Sequence, residues 1–409
     1  MKKVLAVTLG ILTAIGGFVD MGDLVANAES GARFRMNLAW VVVVGVIGIV
    51  VYAEMAGRVA AMSHRPVFEL VRERLGPAVG AANLIASFFI NFLTLTAEIA
   101  GVAIAVSLVA SVHYSLLLPV SAFLVWLVIW RLPFNWMERI FGLGGLSLLV
   151  FVVTVWKFGP DWGELFSAAT SPHVPSTETP FTYAYFAIAL FGAAMTPYEV
   201  FFFSSGAVEE KWTRRDLALN RANVYIGFPI GGLLSLALMA SAHLVLAPRQ
   251  ISVDELSQVV LPAAFVVGKL GLAAALLGIF AATFGAALET ALSAGYTVSQ
   301  YFGWQWGKYV RPREAARFHV VVLLAVALAM LFALTGVDPV KVTEYSIVLS
   351  AAALPLTYFP ILVIANDPDY MGDKVNGRLL NALGTVYLVI LLLVSLATIP
   401  LMIITKAGA

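Results

Sequence analysis

Apolar stretches long enough to cross a lipid bilayer recur along the whole of this 409-residue chain. A membrane-spanning helix needs about 17 to 25 mostly apolar residues. The sequence predicts eleven such spans, near 4–28, 36–60, 80–110, 114–130, 141–157, 181–206, 219–246, 262–303, 318–336, 342–365 and 379–404. The stretch 262–303 is too long for one simple span, so we expect an interfacial segment at its start. The chain is therefore predicted to be an all-α polytopic membrane protein.

The basic residues predict the orientation of these spans, because Lys and Arg resist translocation and collect on the cytoplasmic side. The loop after the sixth span reads EEKWTRRDLALNR, whereas the longest loop of the other side, 159–182, contains neither Lys nor Arg. This pattern predicts a cytoplasmic N-terminus and an outer C-terminus, and the short loops and termini favour a prokaryotic inner (plasma) membrane.

The N-terminal segment MKKVLAVTLGILTAIGG also has the pattern of a cleaved signal peptide. Two features disfavour this alternative. No small-x-small cleavage motif precedes Asp20. In addition, cleavage would remove the span that carries the most unusual acidic residues of the chain. We therefore expect this segment to remain as the first span.

Composition and missing motifs exclude several classes of function. Only 12% of the residues are charged and the net charge is +1, so nucleic acid is not an expected partner. The chain has no Cys, which excludes disulfides and thiolate metal sites. No phosphate-binding loop, nucleophile elbow or HExxH motif occurs, so we expect neither an enzyme nor a cofactor. Residues 1–409 are predicted to form a single membrane domain without an obligate protein partner.

Acidic residues inside two of the spans break the apolar pattern. The first span, GGFVDMGDLVANAESGA, places Asp20 and Asp23 among glycines, which weaken a helix. In the sixth span, FGAAMTPYEVFFF, Pro197 lacks an amide proton and frees the carbonyl of Ala193. A charged group inside a span costs at least about 2.5 to 3.5 kcal/mol, so it usually marks a functional position. The alternative is a structural ion pair, but no mid-span Lys or Arg is available as a partner.

Interrupted helices in corresponding places of two halves are typical of transporters with inverted repeats. The segments DMGD at 20–23 and TPYE at 196–199 form such a pair, and each places two oxygen-bearing side chains at i and i+3. Carboxylates, a hydroxyl and freed carbonyls suit a hard cation. We predict two repeats, 1–157 and 181–365, followed by an additional C-terminal transmembrane helix, 379–404.

The order and spacing of several short motifs resemble the NRAMP family of divalent metal-ion transporters. DMGD at 20–23 stands where the family has Asp-Pro-Gly-Asn, AEMAGR at 53–58 is similar to its Gln-Glu-Leu-Ala-Ala-Arg, and LPLTYFPILVIANDPDYMG at 354–372 resembles its tenth span. The resemblance implies a leucine-transporter-like fold of 5+5 helices plus a C-terminal helix, with the ion held between the broken first and sixth helices. It implies the candidate metal ligands Asp20, Asp23, Ala193 and Thr196. Glu199 is a fifth candidate, an acid added to the family's set.

Two departures from the family pattern bear on the choice of ion. Thr196 stands where the family has a Met thioether, and Asp23 stands where it has an Asn amide. Oxygen ligands favour Mg²⁺, Ca²⁺ or Mn²⁺ over softer transition metals. This pattern resembles the NRAMP-related magnesium transporter branch and predicts Mg²⁺ as the preferred ion, with Mn²⁺ as a second. We interpret Met21 and Met195, which flank the motifs, as packing residues.

The residues that couple transport to protons in relatives are mostly replaced here. Those relatives have an Asp three residues before a Glu in the third span and two His in the sixth. This chain has Leu95 before Glu98, and its two His positions hold Tyr198 and Phe203. We therefore predict transport without proton coupling. Glu98, Tyr198 and Glu289 are candidates for the ion pathway, and a structural role for Glu289 is equally open.

Three other functions remain as alternatives. The first is a proton-coupled Mn²⁺/Fe²⁺ importer, and the second is a cation-coupled organic-solute carrier on the same fold, whose acids would bind Na⁺ or an amine. The third is a membrane scaffold without transport, which has no reason to bear unpaired acids at depth. An amine site needs one carboxylate among aromatic residues, whereas this site offers three carboxylates.

Glu54 and Arg58 are predicted to form a structural ion pair at i and i+4 of the second span.

Overall fold

The computed structural model describes residues 18–408 of the chain, and this part is helical throughout, with short connections. The first seventeen residues, which include most of the predicted first span, lie outside the described part. The helices are α1 Met21–Phe34, α2 Ala39–Ser63, α3 Val67–Leu75, α4 Pro77–Ala110, α5 Tyr114–Arg131, α6 Phe134–Gly145, α7 Leu149–Phe158, α8 Trp162–Thr170, α9 Pro180–Ala194, α10 Pro197–Glu209, α11 Leu217–Ala222, α12 Phe228–Val245, α13 Leu256–Val259, α14 Leu261–Val267, α15 Lys269–Phe302, α16 Ala316–Ala333, α17 Pro339–Ile364, α18 Pro368–Met371 and α19 Arg378–Ile404.

Ten helical segments between residues 18 and 408 are long and apolar enough to cross a bilayer. They correspond to the second to eleventh predicted spans, with ends that differ by a few residues. The predicted stretch 262–303 is divided at Gly268, which has a φ of +84°. The short helix α14 precedes this glycine and the long helix α15 follows it. The expectation that this stretch is not one simple span is therefore confirmed.

The chain is not helical at the two predicted places. Helix α1 begins at Met21, and Val19 and Asp20 before it are not helical. Helix α9 ends at Ala194 and α10 begins at Pro197. Pro at the first position of a helix is favourable because the N–H that it lacks would have no intrahelical partner there. Pro197 therefore explains the start of α10, and α9 and α10 together form one broken membrane crossing.

Exposure to lipid separates central helices from peripheral ones. The crossing formed by α9 and α10 is buried on nearly all sides, whereas α19 is mostly exposed. Leu393 and Leu396 of α19 are 63% and 74% exposed. Such side chains are favourable against hydrocarbon, which is as apolar as they are. The broken helices therefore lie inside the helix bundle, and α19 lies at its edge.

Both broken helices approach α17 at one residue, Ile347. A Cβ added to Gly192 of α9 would lie 2.3 Å from the Ile347 carbonyl oxygen, and one added to Gly22 of α1 would lie 2.6 Å from Ile347 Cγ2. Small residues at helix interfaces in membranes allow such close approach of backbones. These two glycines bring α1 and α9 together against the same stretch of α17.

The predicted ion pair in α2 is confirmed. Arg58 Nε donates to both carboxylate oxygens of Glu54 at 3.1 Å, and both side chains are buried. Arg58 also donates to Asn376 Oδ1 at 2.5 Å and to the carbonyl of Lys374. The pair therefore joins α2 to the segment between α17 and α19.

Candidate metal-binding site at the helix breaks

Asp20 lies at the break before α1 and connects this helix to α10. Its Oδ1 accepts a hydrogen bond from the backbone N–H of Asp23 at 2.8 Å, which caps the start of α1. Its Oδ2 accepts from the hydroxyl of Tyr198 at 3.0 Å. All three side chains are buried. The carboxylate is thus fixed between the two broken helices, as the predicted site requires.

Glu98, near the middle of α4, lies at the same helix start. Its Oε1 accepts from the backbone N–H of Met21 at 2.9 Å. The first N–H groups of a helix have no intrahelical partner, and a negative charge near them is favourable. The other oxygen, Oε2, is buried and has no hydrogen-bond partner among the described residues. One oxygen of this carboxylate is therefore available to a ligand.

A small cavity lies between the start of α1, the middle of α4, the break before α10 and helix α17. Its volume is about 10 Å³, roughly the space of one water molecule. Every polar side chain that lines it carries oxygen, and none carries nitrogen or sulfur. Its lining residues are Asp20, Gly22, Thr94, Ala97, Glu98, Thr196, Thr343, Ser346, Ile347 and Ser350. The sequence predictions for Asp20, Thr196 and Glu98 thus converge on one cavity.

Four hydroxyl residues of this lining, Thr94, Thr343, Ser346 and Ser350, were not among the predicted site residues. Thr94 and Ser346 hydrogen-bond each other at 2.8 Å. Ser350 Oγ is buried and has no partner within residues 18–408. Thr343, Ser346 and Ser350 recur at i, i+3 and i+7, so they share one face of α17. This periodicity of hydroxyl residues within a span is the sequence signal that identifies them.

Asp23 is directed away from the cavity. Its Oδ2 accepts from Ser235 Oγ of α12 at 2.6 Å, and its Oδ1 accepts from Asn27 Nδ2 at 2.8 Å. The side chain is buried but does not belong to the cavity lining. The expectation that Asp20 and Asp23 point at one ion is not met in this structure, because Ser235 and Asn27 hold the second carboxylate.

Ala193 and Glu199 also lie outside the lining of the cavity. Ala193 is in the last turn of α9, and the carbonyl of Met195, two residues on, accepts from the hydroxyl of Tyr358 at 3.1 Å. Glu199 is buried in the first turn of α10, and its Oε2 has no hydrogen-bond partner in the described part of the chain. Among residues 18–408, no three His or acidic side chains are grouped closely enough to hold a metal ion.

The predicted pathway residues other than Glu98 do not line the cavity. Tyr198 is fully buried and orients the Asp20 carboxylate, and its own carbonyl accepts from Ser293 Oγ of α15 at 3.3 Å. Glu289 is partly exposed on the same helix α15. Tyr198 therefore contacts the site directly, whereas Glu289 stays a predicted pathway residue.

The two methionines beside the breaks pack against neighbouring helices. A Cβ added to Gly48 of α2 would lie 2.6 Å from Met195 Sδ, and one added to Gly101 of α4 would lie 3.2 Å from Met21 Sδ. Both side chains are fully buried. Their sulfur atoms fill the spaces left by glycines, which agrees with the interpretation of both as packing residues. The lining of the cavity accordingly has no thioether ligand.

A polytopic helical protein with a buried, oxygen-lined cavity where two membrane helices break has the architecture of a membrane transporter. The chain belongs to the NRAMP family: residues 10–400 match the family model described as natural resistance-associated macrophage protein-like. A divalent metal cation transporter, MntH, of Erwinia tasmaniensis is 27% identical over 395 residues, which cover 92% of this chain and 89% of the relative. The MntH protein of Pectobacterium carotovorum is 25% identical over 406 residues, covering 96% and 92%.

Solved structures show the same fold. A mutant of the Eremococcus coleocola manganese transporter superposes with a TM-score of 0.71 at 19% identity, covering 99% of this chain and 88% of the other. Mhp1, a nucleobase-cation-symport-1 family transporter, superposes with a TM-score of 0.55 at 16% identity, covering 96% and 92%. The predicted leucine-transporter-like fold is thereby confirmed. Membership of the NRAMP transporter family confirms the prediction that the chain is not an enzyme. The division into two repeats stays a prediction.

Proposed function

We propose that this chain transports divalent metal cations across the membrane and that the transported ion binds in the cavity beside Asp20. The relatives named as divalent metal cation transporters support this function. The observation that carries the site is a pair of buried oxygens, Glu98 Oε2 and Ser350 Oγ, without a hydrogen-bond partner in the described part of the chain. Their lining also contains Asp20 and Thr196. Hydroxyl and carboxylate oxygens are the ligands of Mg²⁺, Ca²⁺ and Mn²⁺.

The cavity favours an ion over an organic solute. Its volume of about 10 Å³ holds roughly one water molecule or ion and is far below the roughly 300 to 1,000 Å³ of pockets for drug-sized ligands. The lining also contains four hydroxyl groups, three from α17 and one from Thr94, which is more oxygen ligands than a single amine needs. The organic-solute carrier is therefore the weaker alternative, although Mhp1 shares the fold.

The cavity lining supports Mg²⁺ as an accepted and preferred ion, because it lacks a soft sulfur ligand. Mn²⁺ is the second candidate, and the name of the Eremococcus coleocola protein favours it. Asp23 and Glu199, with the Ala193 carbonyl, remain proposed ligands in a second arrangement of the broken helices. In that arrangement the Asp23 carboxylate would lose its hydrogen bond from Ser235 and bind the ion instead.

We further propose transport without proton coupling. Glu98 is the remaining acid of the predicted relay, and its carboxylate caps α1 at Met21. The residue three positions earlier, Leu95, is fully buried and has no titratable group. A proton-coupled Mn²⁺/Fe²⁺ importer is the alternative.

The proposed orientation places the N-terminus in the cytoplasm and the C-terminus outside a bacterial inner membrane. The basic segments meet at one end of the bundle, where Arg214 pairs with Asp373 at 2.6 Å and Arg65 pairs with Glu73 at 2.5 Å. At the opposite end, Arg33 joins Glu178 of the loop 159–182 to the carbonyl of Gly408. The segregation of basic residues supports this orientation.

Ion uptake into proteoliposomes tests the function, with Mg²⁺ and Mn²⁺ compared while internal pH is followed. We expect saturable uptake of both ions, a higher affinity for Mg²⁺ and no acidification. Uptake of Mn²⁺ alone with acidification would refute the ligand and coupling proposals but leave divalent transport standing. Uptake of neither ion would refute the proposed function itself.

Two substitutions test the site. Asp20→Asn should reduce uptake at least tenfold, because loss of about 1.4 kcal/mol of binding free energy already has that effect. Glu164→Gln, in the exposed helix α8, is the matched control and should transport normally.

Asp23→Asn tests whether Asp23 binds the ion in a second arrangement of the broken helices. Uptake near that of the unmodified protein would limit the site to the present cavity, and a loss as large as that of Asp20→Asn would place Asp23 on the ion during transport.

A further inference from the structure

A wide apolar groove lies on the outer surface of the bundle between α4, α15 and α16, away from the ion cavity. Its volume is about 590 Å³, within the roughly 300 to 1,000 Å³ of ligand-binding pockets. All of its lining side chains are hydrocarbon: Leu84, Ile85, Phe88, Phe89, Phe92, Val298, Phe302, Val321, Leu324 and Leu328. Ile85 and Leu324 are 71% and 53% exposed, so the groove opens toward lipid. Its occupant must therefore contact it through hydrocarbon.

The length of the groove matches one leaflet of a bilayer. The rings of Phe92 and Phe332 lie 5.4 Å apart and close the groove at one end. From Leu84 to Phe92 the groove follows α4 for about 12 Å, at 1.5 Å per residue. Half of the hydrocarbon core of a bilayer is about 15 Å thick. A single acyl chain in one leaflet would thus lie along the groove and reach the aromatic pair.

The other end of the groove carries aromatic rings and positive charge. Phe302 stacks on Trp304, with ring centroids 4.9 Å apart and planes 18° apart. The Arg317 guanidinium lies 5.1 Å from the Trp304 centroid, and the Arg72 guanidinium lies 5.7 Å from that of Tyr301. Aromatic rings with basic side chains are typical of the membrane interface. This end of the groove is therefore placed where lipid headgroups lie.

Arg72 and Arg317 are both exposed. Neither lies within 4.0 Å of a carboxylate oxygen of the described side chains. Arg72 also donates to the carbonyl of Tyr301, which fixes its position at the end of α15. Guanidinium groups match phosphate geometry and form strong charge-assisted hydrogen bonds with it. Two guanidinium groups without a carboxylate partner at the mouth of a hydrocarbon groove are complementary to an anionic lipid.

We propose that this groove binds an anionic glycerophospholipid, with one acyl chain along α4 and α16 and the phosphate held by Arg72 and Arg317. The proposal concerns a surface separate from the ion cavity and does not rest on the transported ion. Both arginines belong to segments that we assign to the cytoplasmic side, where polybasic segments attract anionic lipids.

Native mass spectrometry of the full-length, delipidated protein tests the proposal, with phosphatidylglycerol and phosphatidylcholine as probes. We expect the protein to retain phosphatidylglycerol in preference to phosphatidylcholine. Arg72→Gln and Arg317→Gln should each weaken this retention about fivefold, the effect of one basic residue near an anionic lipid surface. Leu328→Trp, which fills the groove, should also weaken it.

Two matched controls complete the experiment. Arg378→Gln changes an exposed arginine at the start of α19, and Leu393→Trp changes an exposed leucine of the same helix. Both variants should retain phosphatidylglycerol as the unmodified protein does. Equal retention of the two lipids by the unmodified protein would overturn the proposal without any variant. Loss of retention in Arg378→Gln equal to that in Arg317→Gln would also overturn it.

Discussion

The backbone N–H of Met21 donates to the carboxylate of Glu98 across 77 residues of sequence, at 2.9 Å. This bond places an acid of α4 at the first turn of the helix that follows Asp20. The same carboxylate lines the cavity and keeps one oxygen without a partner among the described residues. Glu98 therefore has a structural and a ligand function at once.

Substitutions of Glu98 separate these two functions. Glu98→Ala leaves the buried N–H of Met21 without an acceptor, and we expect a loss of about 1 to 3 kcal/mol in stability. Glu98→Gln keeps an acceptor oxygen and should retain most of that stability, while its lost charge should weaken ion uptake. Thermal unfolding in detergent and proteoliposome uptake measure the two effects. Equal stability of both variants would contradict the structural function.

Introduction of a thioether should shift the ion preference. Thr196→Met places sulfur in a cavity whose polar lining is all oxygen. Since soft ligands favour polarisable transition metals, we expect Mn²⁺ uptake to gain on Mg²⁺ uptake by about tenfold, which corresponds to about 1.4 kcal/mol. Competition between the two ions during uptake measures the ratio. Thr196→Val, which removes the hydroxyl without adding sulfur, is the control and should not raise the preference for Mn²⁺.

Breaking the ion pair of α2 should destabilise the protein strongly. Glu54 and Arg58 are both buried, and removal of one partner leaves an uncompensated buried charge. We expect Glu54→Gln to cost about 3 to 5 kcal/mol. Glu69→Gln, at a partly exposed pair with Arg65 on α3, should cost at most about 1 kcal/mol. Thermal unfolding of the two variants tests this order, and equal losses would contradict it.

Lys308, in the loop between α15 and α16, should make stability depend on alkaline pH. Burial lowers the pKa of Lys308 from 10.5 to about 8, and nearby Glu209 only partly opposes this shift. Between these two values the unfolded chain binds more protons than the folded chain, so the contribution of Lys308 to stability rises with pH. Lys308→Met should lack this rise. Melting temperatures of both proteins from about pH 7.5 to 10.5 test it, and parallel curves would refute it.

Hydropathy and helix breakers predict most of this fold. The spans follow from runs of apolar residues, and the break before α10 follows from the missing N–H of Pro197. Asp20 and Thr196 were predicted because each flanks a break. The direction of Asp23 was not predictable, because its partner Ser235 is 212 residues away on α12. Tertiary contacts of this kind leave no local pattern in the sequence.

Two helix starts, at Met21 and Pro197, lie at the ion cavity. Each start bears a partial positive charge of roughly half an elementary charge. These charges repel a bound cation but stabilise the carboxylates of Asp20 and Glu98 when no cation is present. When no cation is bound, the partial charges of the two helix starts thus offset part of the negative charge of the carboxylates. We expect this neutralisation to lower the energetic cost of returning the carrier across the membrane without an ion.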